Sequence, residues 1–206
     1  TKLESEEDQL IKSWGIIKKE KKIILLPGRL TSWKGQELFI EAINKINIEL
    51  GYQAFYAIIL GSDQGRDQYK KKLLKLCENY NLTDQIKFIK HCDDMALAYK
   101  ISDIVISSSV EPEAFGRVAV EAQSMEKIVI ASNIGGSNET VIDEKTGFLF
   151  NSGDVNSLSQ KIMKILNTDE TTLKSIGIEG RKNVINKFNV EKMCFSTYSE
   201  YKKLFN

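Results

Sequence analysis

Six short apolar runs constrain this chain more than any other feature. They are KIILLPG (22–28), AFYAIILG (54–61), QIKFIK (85–90), DIVISSS (103–109), KIVIAS (127–132) and GFLF (147–150). None alternates polar with apolar residues. A strand built from such a run has no face for water, so it is covered on both sides, the condition of a parallel sheet. Between the runs the period changes. GQELFIEAINKINIEL (35–50) places Leu38, Phe39, Ala42, Ile43, Ile46 and Leu50 on one helical stripe. QYKKKLLKLCENYNL (68–82) repeats the pattern with Leu73, Leu74, Leu76 and Cys77. Repeated strand–helix units imply right-handed crossovers and a doubly wound α/β sheet of about six strands. After residue 152 the strands stop. DVNSLSQKIMKIL (154–166), with Asp154 as N-cap, begins a set of extra C-terminal helices that continues near 170–187 and 190–205.

Composition narrows the function. Lys and Arg number 29 and Asp and Glu 28, a net charge of +1. That balance lacks the basic footprint of a nucleic-acid binder. A hydrophobic fraction of 42% excludes disorder. No apolar run approaches the roughly 18 residues of a membrane span. The first twenty residues, TKLESEEDQLIKSWGIIKKE, are charged and lack a signal-peptide core. With Lys18, Lys19, Lys21 and Lys22 closing on the first strand, residues 1–20 read as a solvated linker rather than a functional basic patch. Cys77, Cys92 and Cys194 are odd in number and form no CxxC, which argues against a disulfide frame and structural zinc and for a reducing compartment. The chain opens without Met, in a polar stretch, as a fragment would.

In an open parallel sheet, ligands bind beyond the carboxyl ends of the strands, so the loops there are the candidate sites. The first, Pro27 to Gly35, carries Arg29 and Lys34 between two glycines, Gly28 and Gly35, ahead of a helix N-terminus. Arg offers a planar fork and Lys a mobile charge to an anion. Alone, the loop fits phosphate binding and ordinary surface charge equally well. Gly61 to Arg66 reads as a hydrophilic turn. The sole histidine, His91, has no catalytic partner near it in sequence and reads as structural; Asp93 and Asp94 read as a helix N-cap before a metal pair. The fourth loop, Ser107 to Ala122, leads into an apolar helix that contains Glu121. A buried carboxylate is costly unless paired. Glu121 therefore either pairs with Arg117, in the poorer i,i+4 orientation, or faces a polar cleft together with Glu113. The paired glycines of the fifth loop, Gly135 and Gly136, fit a structural turn or a close ligand approach equally.

Three of these segments, in order, carry a resemblance. GRLTSWKG (28–35), EAFGRVAVE (113–121) and IASNIGGSNETVIDEKTGFLF (130–150) resemble the Gly-Arg-x4-Lys-Gly, Glu-x7-Glu and Gly-Gly-x-x-Glu signatures of the C-terminal domain of group 1 (family four) retaining glycosyltransferases of the GT-B fold. The resemblance spans about residues 22–205. It implies a Rossmann-like donor-binding domain over 21–206, an interdomain linker over 1–20 and an acceptor domain N-terminal to the chain. It implies that Arg29 and Lys34 hold the diphosphate of a nucleotide-sugar, that Glu113 lies by the donor sugar and that Glu121 binds the ribose. Backbone amides at Phe115 and Gly116 would support phosphate or sugar oxygens, and the strand end Lys90–Cys92 would cradle the base. The implied donor-binding set is Gly28, Arg29, Lys34, His91, Glu113, Ala114, Phe115, Gly116, Arg117, Val118 and Glu121, with Glu113, Arg29 and Lys34 as its catalytic members. No cofactor or metal is implied, since cations and a helix terminus take a metal's place.

The implied reaction transfers a sugar, with retention, to a cell-surface glycan or lipid acceptor of lipopolysaccharide type. The alternative is a degenerate, non-catalytic nucleotide-binding module. Glu126-Lys127-Ile128 stands where the family has a Gly-x-Pro turn, and Lys90 where it has a Gly. The implied location is the cytoplasm, with room for peripheral association of a full-length protein at the inner face of the membrane. The last helix would pack toward the missing domain.

Overall fold

The computed structural model describes residues 5–17, 21–50 and 55–205. Among these, six strands alternate with helices: α1 (Glu6–Ser13), β1 (Lys22–Pro27), α2 (Gln36–Leu50), β2 (Phe55–Leu60), α3 (Asp67–Asn79), β3 (Ile86–Ile89), α4 (Met95–Ile101), β4 (Ile104–Ser107), α5 (Arg117–Ser124), β5 (Ile128–Ser132), α6 (Ser137–Thr140), β6 (Phe148–Phe150), α7 (Val155–Leu166), α8 (Glu170–Lys187) and α9 (Val190–Lys203). All six expected strands form, within a residue or two of their sequence bounds at most ends. Ala54, the expected start of the second run, lies outside the described residues. The sheet is wholly parallel, in the order β3-β2-β1-β4-β5-β6.

Alternation along β1 builds the two layers, because successive side chains of a strand point to opposite faces. Ile24 and Leu26 join Phe39 and Ile43 of α2 and Leu158 and Ile162 of α7 on one face. Ile23 and Leu25 join Ala98 of α4 and Ala119 and Ala122 of α5 on the other. Every residue of β4 and β5 is buried. The continuous apolar runs thus have their cause in a sheet covered on both faces, a Rossmann-like α/β fold.

The solvated reading of the N-terminal segment is corrected for residues 5–17. Ser5 accepts from the Asp8 amide and caps α1, whose first turn carries Glu6, Glu7 and Asp8 in accord with the helix dipole. Ile11, Trp14 and Ile16 are each about 95% buried, in the cluster that holds Ala98 and Tyr99. Sequence reading weighed the charges of this segment and overlooked its apolar stripe. Of the basic run, Lys18 and Lys19 lie outside the described residues; Lys21 stands over the Tyr56 ring and Lys22 approaches Asp103 and Glu170.

The turn that departs from the family pattern closes without its glycine. Glu126 takes φ +58°, the Lys127 amide donates to the Ala122 carbonyl, and the chain enters β5 at Ile128. Asp94 caps α4 and Asp154 caps α7, as their positions predict. Among the described residues no helix is long and apolar enough to cross a membrane.

Two outcomes follow from this packing. Trp14→Ala removes a buried indole and is expected to cost about 3–5 kcal/mol in urea unfolding. A loss within about 0.5 kcal/mol, the range of surface substitutions, would restore the solvated reading. The cysteines are free and differ in access: Cys77 is buried, with its thiol pushed up to about 12 by burial, Cys92 is half-buried and also raised by burial, and Cys194 is exposed. Since the thiolate is the reactive form, a disulfide reagent at pH 8 is expected to modify Cys194 first, Cys92 more slowly and Cys77 only on unfolding.

Candidate functional site

The sheet order reverses between β1 and β4. The chain leaves β1 toward β2 and β3, then returns to pair β4 with β1's other edge. The loops after these two strands therefore diverge and open a crevice between them, the place where ligands bind in doubly wound sheets. The crevice is a cleft of about 660 Å³.

Its first wall is the loop after β1. The Gly28 amide donates to the Leu60 carbonyl at 2.8 Å and the Leu30 amide to the Ser62 carbonyl at 3.0 Å, so the loop runs beside the end of β2. Gln36, fully buried, donates its amide to the Arg29 carbonyl at 2.9 Å and accepts from Tyr69. This pins the backbone and leaves the Arg29 side chain to the solvent of the cleft. Among the described residues Arg29 forms no ion pair. A single 3-10 turn, Ser32–Lys34, delivers the chain to Gly35. Gly35 has φ +73°, and a Cβ there would stand 2.0 Å from the Ser108 carbonyl oxygen. Only glycine admits both the conformation and the contact.

The second wall is the loop after β4, and it is bonded to the first. Ser108 Oγ donates to the carbonyls of Lys34 and Gly35 at 3.0 and 3.2 Å, and the Val110 amide donates to the Trp33 carbonyl at 2.8 Å. Across this seam Lys34 Nζ donates to Glu113 Oε1 at 2.7 Å. Both side chains are only about 15% exposed, so the pair is partly desolvated. Ser109 Oγ donates to the same oxygen. Lys34 Nζ also lies 4.4 Å from the centroid of the Trp33 ring, within cation–π range. The fifth loop supports this arrangement from behind. The Gly136 amide donates to the Glu113 carbonyl at 2.8 Å, and a Cβ on Gly136 would stand 2.7 Å from the Phe115 backbone. Of the two readings of the glycine pair, the structural one describes what is seen: the close approach is to the chain's own backbone.

Gly116, at φ +77°, turns the chain into α5. That helix is not buried throughout: Ala119, Ala122 and Gln123 face inward, while Glu121 is half-exposed and faces the cleft. Its Oε2 accepts from the Tyr99 hydroxyl at 2.8 Å. Arg117 Nε is 3.9 Å from Oε1, too long for a hydrogen bond. Both alternatives for Glu121 are thus met: it faces the cleft and keeps a long i,i+4 ion pair with Arg117. Burial first, and the negative Glu121 beside it, hold the Tyr99 phenol well above the ordinary tyrosine range.

The third wall is the end of β3. His91 Nε2 lies 2.8 Å from Asp93 Oδ1 at the exposed rim. The 61–66 loop is the hydrophilic turn expected, closed by Gly65 N–H on Asp63, whose carboxyl this bond and Lys70 hold below the usual range. Its first residues, Gly61 and Ser62, nonetheless line the cleft.

All eleven residues singled out from sequence line this one cleft: Gly28, Arg29, Lys34, His91, Glu113, Ala114, Phe115, Gly116, Arg117, Val118 and Glu121. Sequence reading missed Gln36, Trp33, Tyr99 and Ser109. Gln36 had a usable signal, a polar residue at the inward start of an apolar helix. Tyr99 had none, because its partner lies 22 residues away on another helix.

The comparisons with known proteins agree with this geometry. A family model described as glycosyl transferases group 1 matches residues 7–183. The capsular polysaccharide biosynthesis glycosyltransferase CapM of Staphylococcus aureus is 33% identical over 162 residues, 79% of this chain and 41% of CapM. A glycosyltransferase structure from Rickettsia africae superposes with TM-score 0.88 at 34% identity, covering 97% of this chain and 52% of that one. Anabaena Alr3699/HepE, solved in complex with UDP-glucose, gives TM-score 0.85 at 25% identity over 96% of this chain and 52% of its own. The chain thus spans about half the length of the relatives it matches. With an ordered set of loop motifs meeting at the switch point of a Rossmann-like sheet, and a family model that covers most of its residues, the chain belongs to the group 1 glycosyltransferases.

Proposed function

We propose that this chain is the donor-binding half of a retaining glycosyltransferase of family four, which transfers a sugar from a nucleotide-sugar to a cell-surface glycan or lipid acceptor of the lipopolysaccharide type. The Lys34–Glu113 pair carries the reading. It joins the cationic loop to the Glu-x7-Glu segment across 79 residues of sequence, and Arg29, which forms no ion pair among the described residues, lines the same cleft. A diphosphate entering the cleft would meet Arg29 and Lys34, whose bonds to it would strengthen as negative charge develops on the leaving group. Glu113 would then stand at the donor sugar, Glu121 at the ribose, and Lys90–Cys92 at the base. Amides at Phe115 and Gly116 would complete the anion site. The reaction as read here needs neither metal nor cofactor, because two cations supply the charge. The UDP-glucose complex of HepE supports a nucleotide-sugar as the donor.

The acceptor would be held by a domain N-terminal to residues 21–206, with residues before 21 as the connection. The apolar outer face of α9, which has no buried residue, would pack toward that domain. On this reading the full-length protein would work in the cytoplasm, with room for peripheral association at the inner face of the membrane. The degenerate-module alternative rests on the turn at 126–128, which closes without the glycine of the family pattern and holds Glu126 at φ +58°.

Substituting Arg29 and Lys34 together by Ala is expected to weaken nucleoside-diphosphate binding in calorimetry by about 100-fold or more. Each charge-assisted bond contributes about 1.5–3 kcal/mol and each 1.4 kcal/mol is tenfold. Unchanged affinity would remove the phosphate site from this loop. The chain alone is expected to bind a nucleoside diphosphate and raise its melting temperature, without sugar transfer. Co-expression with the N-terminal half of a relative is expected to give transfer with retained anomeric configuration, read by NMR. Binding without transfer in that complex would favour the non-catalytic module, and an inverted product would rule out the retaining mechanism.

A further inference from the structure

We propose that Tyr99 is the positioning residue that makes the cleft selective for ribose: its hydroxyl fixes one oxygen of Glu121 and turns the other toward the vicinal hydroxyls of the donor's nucleoside. The inference rests on the nucleotide-sugar reading above.

The two side chains differ in rigidity. The Tyr99 ring is 3% exposed and sits in the cluster of Ala98, Ile101, Ala119 and Ala122. Its helix, α4, is itself anchored, since Asp94 Oδ1 caps the Leu97 amide at 2.9 Å. Glu121 is half-exposed on α5 and on its own would exchange rotamers in water. The 2.8 Å bond from the phenol to Oε2 ties the mobile carboxylate to the immobile ring. The other oxygen, Oε1, receives no hydrogen bond among the described residues; Arg117 Nε stands 3.9 Å from it and is 84% exposed. One acceptor oxygen is thus held in a fixed place at the cleft wall. Burial and the adjacent carboxylate raise the phenol well above the ordinary tyrosine range, which favours the donor form of Tyr99. A preset acceptor of this kind rejects a ligand that lacks its hydroxyls, because the carboxylate then has only water to meet.

The test compares the intact chain with Tyr99→Phe, which keeps the ring and its packing and removes only the hydroxyl. UDP, GDP and ADP are titrated calorimetrically to find the base that binds. That nucleotide and its 2′,3′-dideoxy analogue are then measured with both proteins. The intact chain is expected to prefer the ribonucleotide by about tenfold or more, and Tyr99→Phe to lose most of that preference while holding the dideoxy analogue within about twofold. In a Glu121→Gln background the Tyr99→Phe change is expected to add little, the mark of coupled residues. Preserved ribose preference in Tyr99→Phe would overturn the inference, and so would an equal loss for both nucleotides, which marks a packing role. If the intact chain binds none of the three nucleotides, the nucleotide-sugar reading itself falls, and this inference with it.

Discussion

The cleft exists because β1 and β4 are neighbours although 79 residues of chain separate the loops that follow them. A parallel sheet can place its first strand at the centre only if later strands add to both of its edges. The loops that leave the two central strands must then part, and a crevice opens at their carboxyl ends. Arg29 and Lys34 come from one of these loops, Glu113 from the other and Glu121 from the helix that follows it. No charge in the site needs to be carried there by a special device; the strand order brings them together.

Having been brought together, the opposite charges hold the two loops in register. Lys34 and Glu113 are mostly withdrawn from water, and each is the other's compensation. Removing one leaves a partly buried charge without a partner, which is why such pairs are costly to break from one side. Neutral contacts surround the pair: Ser108 stitches the two backbones, Ser109 adds a second donor to Glu113, and Gln36 fixes the carbonyl of Arg29. Arg29, on the cleft wall, forms no ion pair among the described residues.

Legibility varied with the range of the interactions involved. Strands and helices were readable because their signals are local: unbroken apolar runs for strands buried on both faces, and 3.6-residue stripes for the helices. Caps at Asp94 and Asp154 were readable for the same reason. The segment before β1 was misjudged because its apolar residues, Ile11, Trp14 and Ile16, are spaced among many charges, and their burial needs α4 as a partner. Glu121 was readable as a residue in conflict with its apolar neighbours, yet its bond to Tyr99 was not, because that partner lies on another helix. The glycine pair at 135–136 was ambiguous because a close backbone approach looks the same from sequence whether the visitor is a ligand or the chain's own Glu113–Phe115 segment.

By itself the sequence determined the fold class, the order of the motifs and the residue types that meet at the strand ends. These follow from periodicity and local conformational preference, which act within a few residues. Only the tertiary structure decided which charges pair, which remain available and which way Glu121 points. Lys34 pairs with Glu113, Arg29 forms no ion pair among the described residues, and Glu121 accepts from Tyr99. Such choices depend on distances of a few ångströms between residues far apart in the chain, and electrostatics and hydrogen bonding at that range are set by the packed backbone, not by spacing along it.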